Sequence, residues 1–114
     1  MRTLGDISLT ETDRQAVQRA AAVLRNRFPV VRVILYGSKA RGDDAAGSDI
    51  DLLVLTSRAV TYQEKEAMTQ SVYPLELELN VVISMLIMHE RKWETGLCRA
   101  MPIHVEVERD GVAA

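Results

Sequence analysis

Two carboxylates in this 114-residue chain are spaced to share one chemical task. Asp49 and Asp51 stand at the start of an apolar stretch, and side chains alternate between faces along a strand, so both carboxylates point the same way. Neighbouring anionic groups repel each other unless water or a cation compensates them, and carboxylates suit hard cations such as Mg²⁺. The pair predicts a divalent-cation site; the plainer alternative is a cap residue beside an exposed strand residue.

A glycine and a serine form the second candidate group. Gly37 and Ser38 directly follow the apolar run 30–36, where a glycine lets backbone N–H groups approach a phosphate and a serine adds a hydroxyl donor. Lys39 and Arg41 place cations nearby. If the strands carrying the two groups are neighbours, phosphate donors meet cation ligands, an arrangement typical of phosphoryl or nucleotidyl transfer. Otherwise Gly37 and Ser38 are only a turn.

Local patterns predict the elements that position these residues. Thr10 caps a first helix whose apolar residues recur at helical spacing until Pro29 ends it. Further along the chain the patterns predict strands over 30–36, 50–55 and 75–83, helices over 60–70 and 85–97, and either a strand or a helix over 102–112. The predicted fold class is α/β (α+β): a small mixed sheet of three or more strands flanked by helices.

The predicted strand over 75–83 carries acidic residues at alternate positions. Glu76 and Glu78 share one face of this strand with Asn80, and leucines occupy the other face. These glutamates are therefore candidates for a further carboxylate beside Asp49 and Asp51, or else the solvated face of an edge strand.

The composition excludes several classes of protein. Lys plus Arg number 14 and Asp plus Glu number 16, a net charge of -2 that argues against stable nucleic-acid binding and against anionic membranes. No apolar run reaches the roughly 18 to 20 residues that cross a bilayer, no signal peptide is recognisable, and Cys98 has no partner for a disulfide. We expect a single cytoplasmic domain over residues 1–114.

The order Gly37-Ser38, ten intervening residues, then Asp49-x-Asp51 resembles the signature of the DNA polymerase β-like nucleotidyltransferase superfamily. The strings GSKARG and SDIDLLV are similar to its smallest branch, the minimal nucleotidyltransferases (MNT); the similarity is strong over 31–55 and weak as far as 110–111. The resemblance implies a polymerase β-like nucleotidyltransferase fold.

The resemblance also implies roles for individual residues. Gly37 and Ser38 would bind the nucleotide triphosphate with Arg41 close by, and Asp49 and Asp51 would hold two Mg²⁺ ions, with ATP as the donor. The family has a third carboxylate, generally Asp, on a later strand. Here Glu78 is the first candidate for that ligand and general base, with Glu76 as the second.

Minimal nucleotidyltransferases are often paired with a small helical RNase toxin of the HEPN type, and some transfer AMP to a tyrosine of that toxin. The resemblance thus implies an antitoxin-like protein adenylyltransferase of a toxin–antitoxin system, working with a HEPN-type partner in a homo- or hetero-oligomer. Two alternatives stay open: a non-catalytic antitoxin that inhibits by contact, and an aminoglycoside-type nucleotidyltransferase acting on a small molecule.

Overall fold

A mixed five-stranded sheet with helices on both faces forms the core of the fold. The computed structural model describes residues 1–114. In chain order the elements are β1 (Arg2–Thr3), α1 (Glu11–Arg27), β2 (Val30–Tyr36), α2 (Ser38–Arg41), β3 (Ile50–Thr56), α3 (Tyr62–Leu79), β4 (Ile83–His89), α4 (Glu90–Glu94), α5 (Pro102–Asp110) and β5 (Val112–Ala113), with 3-10 turns over Leu4–Asp6 and Gly96–Ala100. None of the helices combines the length and the apolar character that a bilayer crossing requires.

The strands lie in the order β1-β5-β2-β3-β4. β3 is antiparallel to β2, with Asp51 opposite Tyr36, and parallel to β4, with Asp51 beside Ser84. β5 runs antiparallel to β2 and parallel to β1. Because antiparallel neighbours run in opposite directions, the last residues of β2 lie beside the first residues of β3, at the same end of the two strands.

The two faces of the sheet are covered by different helices. On one face, Leu52 and Val54 of β3 pack with buried residues of α1 and α3. On the other face, Leu53 and Leu55 pack with Trp93 of α4 and Val107 of α5. Side chains alternate along β3, so Asp51 projects to the same face as Leu53, the face that α5 covers.

A buried ion pair joins α1 to α2. The Thr10 hydroxyl accepts a hydrogen bond from the Asp13 backbone N–H and caps α1 as the sequence predicts. The Asp13 carboxylate accepts a hydrogen bond from the Lys39 ammonium at 2.8 Å, and the Asp44 carboxylate accepts a second one from the same ammonium at 3.2 Å. Burial acts to lower the pKa of Lys39, but the hydrogen bonds to both carboxylates outweigh burial and raise it.

The first helix and the first two predicted strands are confirmed, as is the mixed sheet. The third predicted strand, over 75–83, is wrong, because α3 continues through Pro74 to Leu79. Met68, Val72, Leu75 and Leu79 recur at helical spacing and pack on the sheet, and this longer period outweighs the local Leu–Glu alternation. Asn80, at φ 53°, ends the helix in the left-handed conformation.

The predicted helix over 85–97 is also wrong over its first five residues. That stretch belongs to β4, an apolar run that pairs in parallel with β3 and is partly buried, and only Glu90–Glu94 is α-helical there. Short apolar runs do not distinguish a strand from a helix by periodicity alone. The ambiguous tail is helical over Pro102–Asp110 and is followed by β5.

We expect Lys39→Ala to lower the free energy of unfolding by about 3 kcal/mol, because it leaves the Asp13 carboxylate buried without a partner. Urea denaturation measures this loss. The matched control is Lys39→Met combined with Asp13→Leu, which removes both charges and should restore most of the stability. Equal losses in the single and double variants would contradict the buried pair.

Candidate active site

The glycine–serine turn and the aspartate pair lie against each other. A Cβ atom placed on Gly37 would stand 2.6 Å from Oδ2 of Asp51, so any larger residue at this position would force the carboxylate to move. Gly37 also has φ 78°, a conformation that L side chains rarely adopt. The strand adjacency on which the sequence hypothesis depends is therefore present, with the α2 N-terminus beside the start of β3.

The electrostatics of Asp51 are those of an uncompensated carboxylate. Its pKa is raised, chiefly by burial and then by the charges of Asp49 and Glu106, while Arg41 partly opposes the rise. Burial, followed by the charges of Asp51 and Glu106, likewise raises the pKa of the adjacent Tyr36. No hydrogen bond within the protein contributes to the Asp51 shift.

This electrostatic pattern fits a cation. A half-buried carboxylate beside a second one, with no protein donor to balance it, is the donor set that Mg²⁺ prefers. Asp49 and Asp51 are the residues that would hold the ion. Nowhere in the chain do three or more His, Cys, Asp or Glu side chains come together as a metal site.

Arg41 lies at the end of α2 and extends toward α5. Its Nε donates to Asp43 at 3.1 Å and its Nη1 donates to Glu106 of α5 at 2.9 Å. Lys39, the other cation that the sequence places near the turn, faces α1 instead. Arg41 is thus the basic side chain of α2 that remains on the Asp51 side.

Glu78 does not join this group, and its assignment as the third carboxylate is corrected. It lies on α3, on the opposite face of the sheet, where Arg19 of α1 donates to both of its oxygens at 2.5 and 3.1 Å. The Arg19 hydrogen bond and charge lower the pKa of Glu78. The second candidate, Glu76, accepts a hydrogen bond from the Ile83 backbone N–H at 3.0 Å. Both glutamates have structural partners because the helix, not a strand, carries them.

β4 is the strand that lies beside the aspartates, and it contains neither Asp nor Glu. Ser84 occupies the register position next to Asp51 and offers a neutral hydroxyl. Sequence analysis missed this because it placed the strand eight residues too early, starting at 75 instead of at Ile83. Asn80 is the signal that could have corrected it, since asparagine is a common left-handed helix terminator.

The site lies on an open surface. The largest cavity, about 610 Å³, is lined by Glu94, Arg99, His104, Val105, Glu108 and Arg109. Neither aspartate, nor Gly37 or Ser38, lines any of the five cavities of the chain. Asp49 is exposed and Asp51 is partly exposed, so solvent reaches both carboxylates.

We expect Gly37→Ala to cost at least about 2 kcal/mol of stability, from the strained backbone and the clash with Asp51. Gly42→Ala is the matched control: Gly42 has φ 81° with nothing within 4 Å of an added Cβ, so only the backbone cost of about 1 kcal/mol remains. In an Asp51→Ala background the Gly37 variant should cost less, as thermal or urea unfolding would show. Equal costs in both backgrounds would contradict the close approach.

We expect Asp51→Asn to stabilise the fold at pH 7. The folded state holds the Asp51 proton more tightly than the unfolded chain does, so the wild type loses stability as pH rises above the ordinary carboxyl range. Because the asparagine variant carries no charge at residue 51, it avoids this loss of stability. At pH 3 the wild-type carboxyl is also neutral, so the two proteins should no longer differ in stability. Urea midpoints at the two pH values test this. The exposed Glu66→Gln serves as control, and a variant that is less stable than wild type at pH 7 would refute the prediction.

Most of the chain matches a known family of protein domains. Residues 17–100 match the family model described as a nucleotidyltransferase domain. The chain is 39% identical over 81 residues to "Putative protein adenylyltransferase MJ0141" of Methanocaldococcus jannaschii, a match covering 71% of this chain and 80% of the relative.

Solved structures share the fold. A structure described as a minimal nucleotidyltransferase superposes with a TM-score of 0.58 at 27% identity, covering 92% of this chain and 98% of its own. The MNT antitoxin complex with the tri-AMPylated HEPN toxin of Shewanella oneidensis matches with a TM-score of 0.55 at 17% identity, covering 89% of this chain and 70% of the matched one. On the family match and on the identity to the archaeal relative, the chain belongs to the nucleotidyltransferase domain family.

Proposed function

We propose that this nucleotidyltransferase transfers AMP from ATP to a hydroxyl of a partner protein of the HEPN type, as an antitoxin does. The observation that carries the proposal is the position of the Asp51 carboxylate beside Gly37, 2.6 Å from the place where a Cβ atom on Gly37 would stand. It brings a cation-binding group to the turn where a polyphosphate can approach the main chain.

Each residue of the site has a distinct task in this proposal. Gly37 and Ser38 receive the triphosphate through backbone N–H groups and the serine hydroxyl, and Arg41 adds a cation beside them. Asp49 and Asp51 hold Mg²⁺, two ions by analogy with the family, with phosphate oxygens completing the coordination. Bound there, Mg²⁺ would neutralise phosphate charge and polarise the α-phosphate.

The reaction is an in-line displacement at phosphorus. The acceptor hydroxyl gives its proton to solvent water as its oxygen bonds to the α-phosphorus, the bond between the α-phosphorus and the oxygen that bridges to the β-phosphate breaks, and pyrophosphate leaves with that oxygen. The protein contributes mainly position and charge, because the sheet fixes Asp51 and the turn before substrate arrives.

Three observations favour a protein acceptor. The site is open and lacks the enclosing pocket that a small-molecule acceptor would need. The chain has a net charge of -2, which disfavours a nucleic-acid acceptor. The name of the archaeal relative specifies protein adenylylation, and the toxin in the Shewanella complex is AMPylated. These names support adenine as the base and a HEPN-type protein as the acceptor.

The decisive experiment incubates the protein with Mg²⁺, a lysate of its source cells and ATP labelled on either the α- or the γ-phosphate. We expect the α-label to appear on a protein band. Asp49→Asn and Asp51→Asn should each reduce incorporation by about 100-fold or more, because the phosphate charge is then no longer neutralised.

Glu78→Gln is the matched control in this assay, since that glutamate lies on the opposite face of the sheet and should leave incorporation unchanged. Transfer of the γ-label would instead identify a kinase. Toxin protection that survives both aspartate variants would identify an inhibitor acting by contact, and label on small hydroxylated compounds alone would identify a small-molecule enzyme.

A further inference from the structure

The C-terminal helix contributes one charged side chain to the neighbourhood of the site. Val107 of α5 packs beneath the Asp51 face of the sheet with Ile34 and Leu53. That packing leaves the preceding residue, Glu106, half-buried at the rim, where its Oε1 accepts the hydrogen bond from Nη1 of Arg41. Glu106 and Arg41 are 65 residues apart in the chain, so only the folded protein brings them together.

We propose that Glu106 is a positioning residue of the nucleotide site, which holds Arg41 with its Nη2 group free to donate to a phosphate. This inference rests on the proposed function, because it assigns the ligand of Arg41 as the polyphosphate of ATP. It makes α5 a part of the nucleotide site rather than only a cover for the sheet.

The hydrogen-bond geometry of Arg41 supports this role. Asp43 accepts from Nε and Glu106 accepts from Nη1, and no group of the protein accepts from Nη2. A guanidinium carries five N–H donors in a rigid fork. Two carboxylates thus fix its plane and still leave donors for an anion.

A held arginine binds an anion better than a free one. An arginine side chain loses much rotamer freedom when it is immobilised, and that entropy counts against ligand binding unless the protein has already fixed the side chain. Asp43 is a loop neighbour two residues away, whereas Glu106 belongs to a helix anchored in the core. Glu106 is therefore the partner that ties Arg41 to a rigid element.

The negative charge of Glu106 would by itself act in the opposite direction. Its field reaches the site, since it contributes to the raised pKa values of Asp51 and Tyr36. A nearby anion repels ATP, so removing only this charge would strengthen nucleotide binding. If Glu106 positions Arg41, removing the Glu106 side chain should therefore weaken nucleotide binding, whereas a simple charge effect would strengthen it.

The test measures binding of the Mg²⁺ complex of α,β-methylene-ATP, which cannot donate AMP, by isothermal titration calorimetry. We expect Glu106→Ala to weaken binding about 5-fold and Arg41→Ala about 10-fold, with the double variant binding no more weakly than Arg41→Ala. Glu106→Gln retains an acceptor oxygen for Arg41 and should stay within about 2-fold of wild type. Glu108→Ala, on the exposed side of the same helix, should have no effect.

Three results would overturn the inference: unchanged or tighter binding in Glu106→Ala, a further loss from Glu106→Ala in the Arg41→Ala background, or wild-type protein that binds no nucleotide. The proposed function fails separately. Wild-type protein that binds the analogue but transfers no AMP would refute the transfer and leave the role of Glu106 standing. Active transfer, with an affinity that does not change in Glu106→Ala, would refute the role of Glu106 and leave the transfer standing.

Discussion

The close approach of one carboxylate to one glycine is the constraint on which the site depends. Asp51 projects from β3 directly against the backbone of Gly37 at the end of β2, and a side chain at Gly37 would occupy the same space. Antiparallel pairing of β2 with β3 fixes this contact, because it places Tyr36 opposite Asp51. The energetic cost is visible in Asp51 itself, whose raised pKa reflects a charge that the fold leaves without a protein partner. Such an unbalanced group is typical of a binding site rather than of a structural position.

Much of this site could be predicted from sequence because its information is local. The Gly37-Ser38 turn directly follows its strand, and Asp49 and Asp51 stand at the start of theirs, so two short strands and one pairing suffice to assemble them. Such local patterns predict strands reliably because each strand has a β-branched or leucine-rich composition, and Gly37 follows β2 while Asp49 precedes β3.

The rest of the site depends on helical periodicity and on packing that the local Leu–Glu alternation obscures. The alternation of Leu75 to Leu79 is compatible with a strand, and only the contacts of Met68 and Val72 with the sheet select the helix. Because of that one error, the strand beside the aspartates was predicted too early in the chain. Glutamates that lie on another surface were therefore assigned to the position that Ser84 occupies. Glu106 was not predictable either, since its place depends on how α5 lies across the sheet.

The single turn of α2 has neighbours on both layers of the molecule. Lys39 is buried against Asp13 of α1, while Arg41, two residues later, reaches Glu106 of α5. The α2 turn is therefore held by ionic contacts on both faces of the sheet. Any displacement of this turn would stretch one of the two ionic contacts. The helices on the two faces of the sheet are therefore mechanically coupled through the four residues of α2.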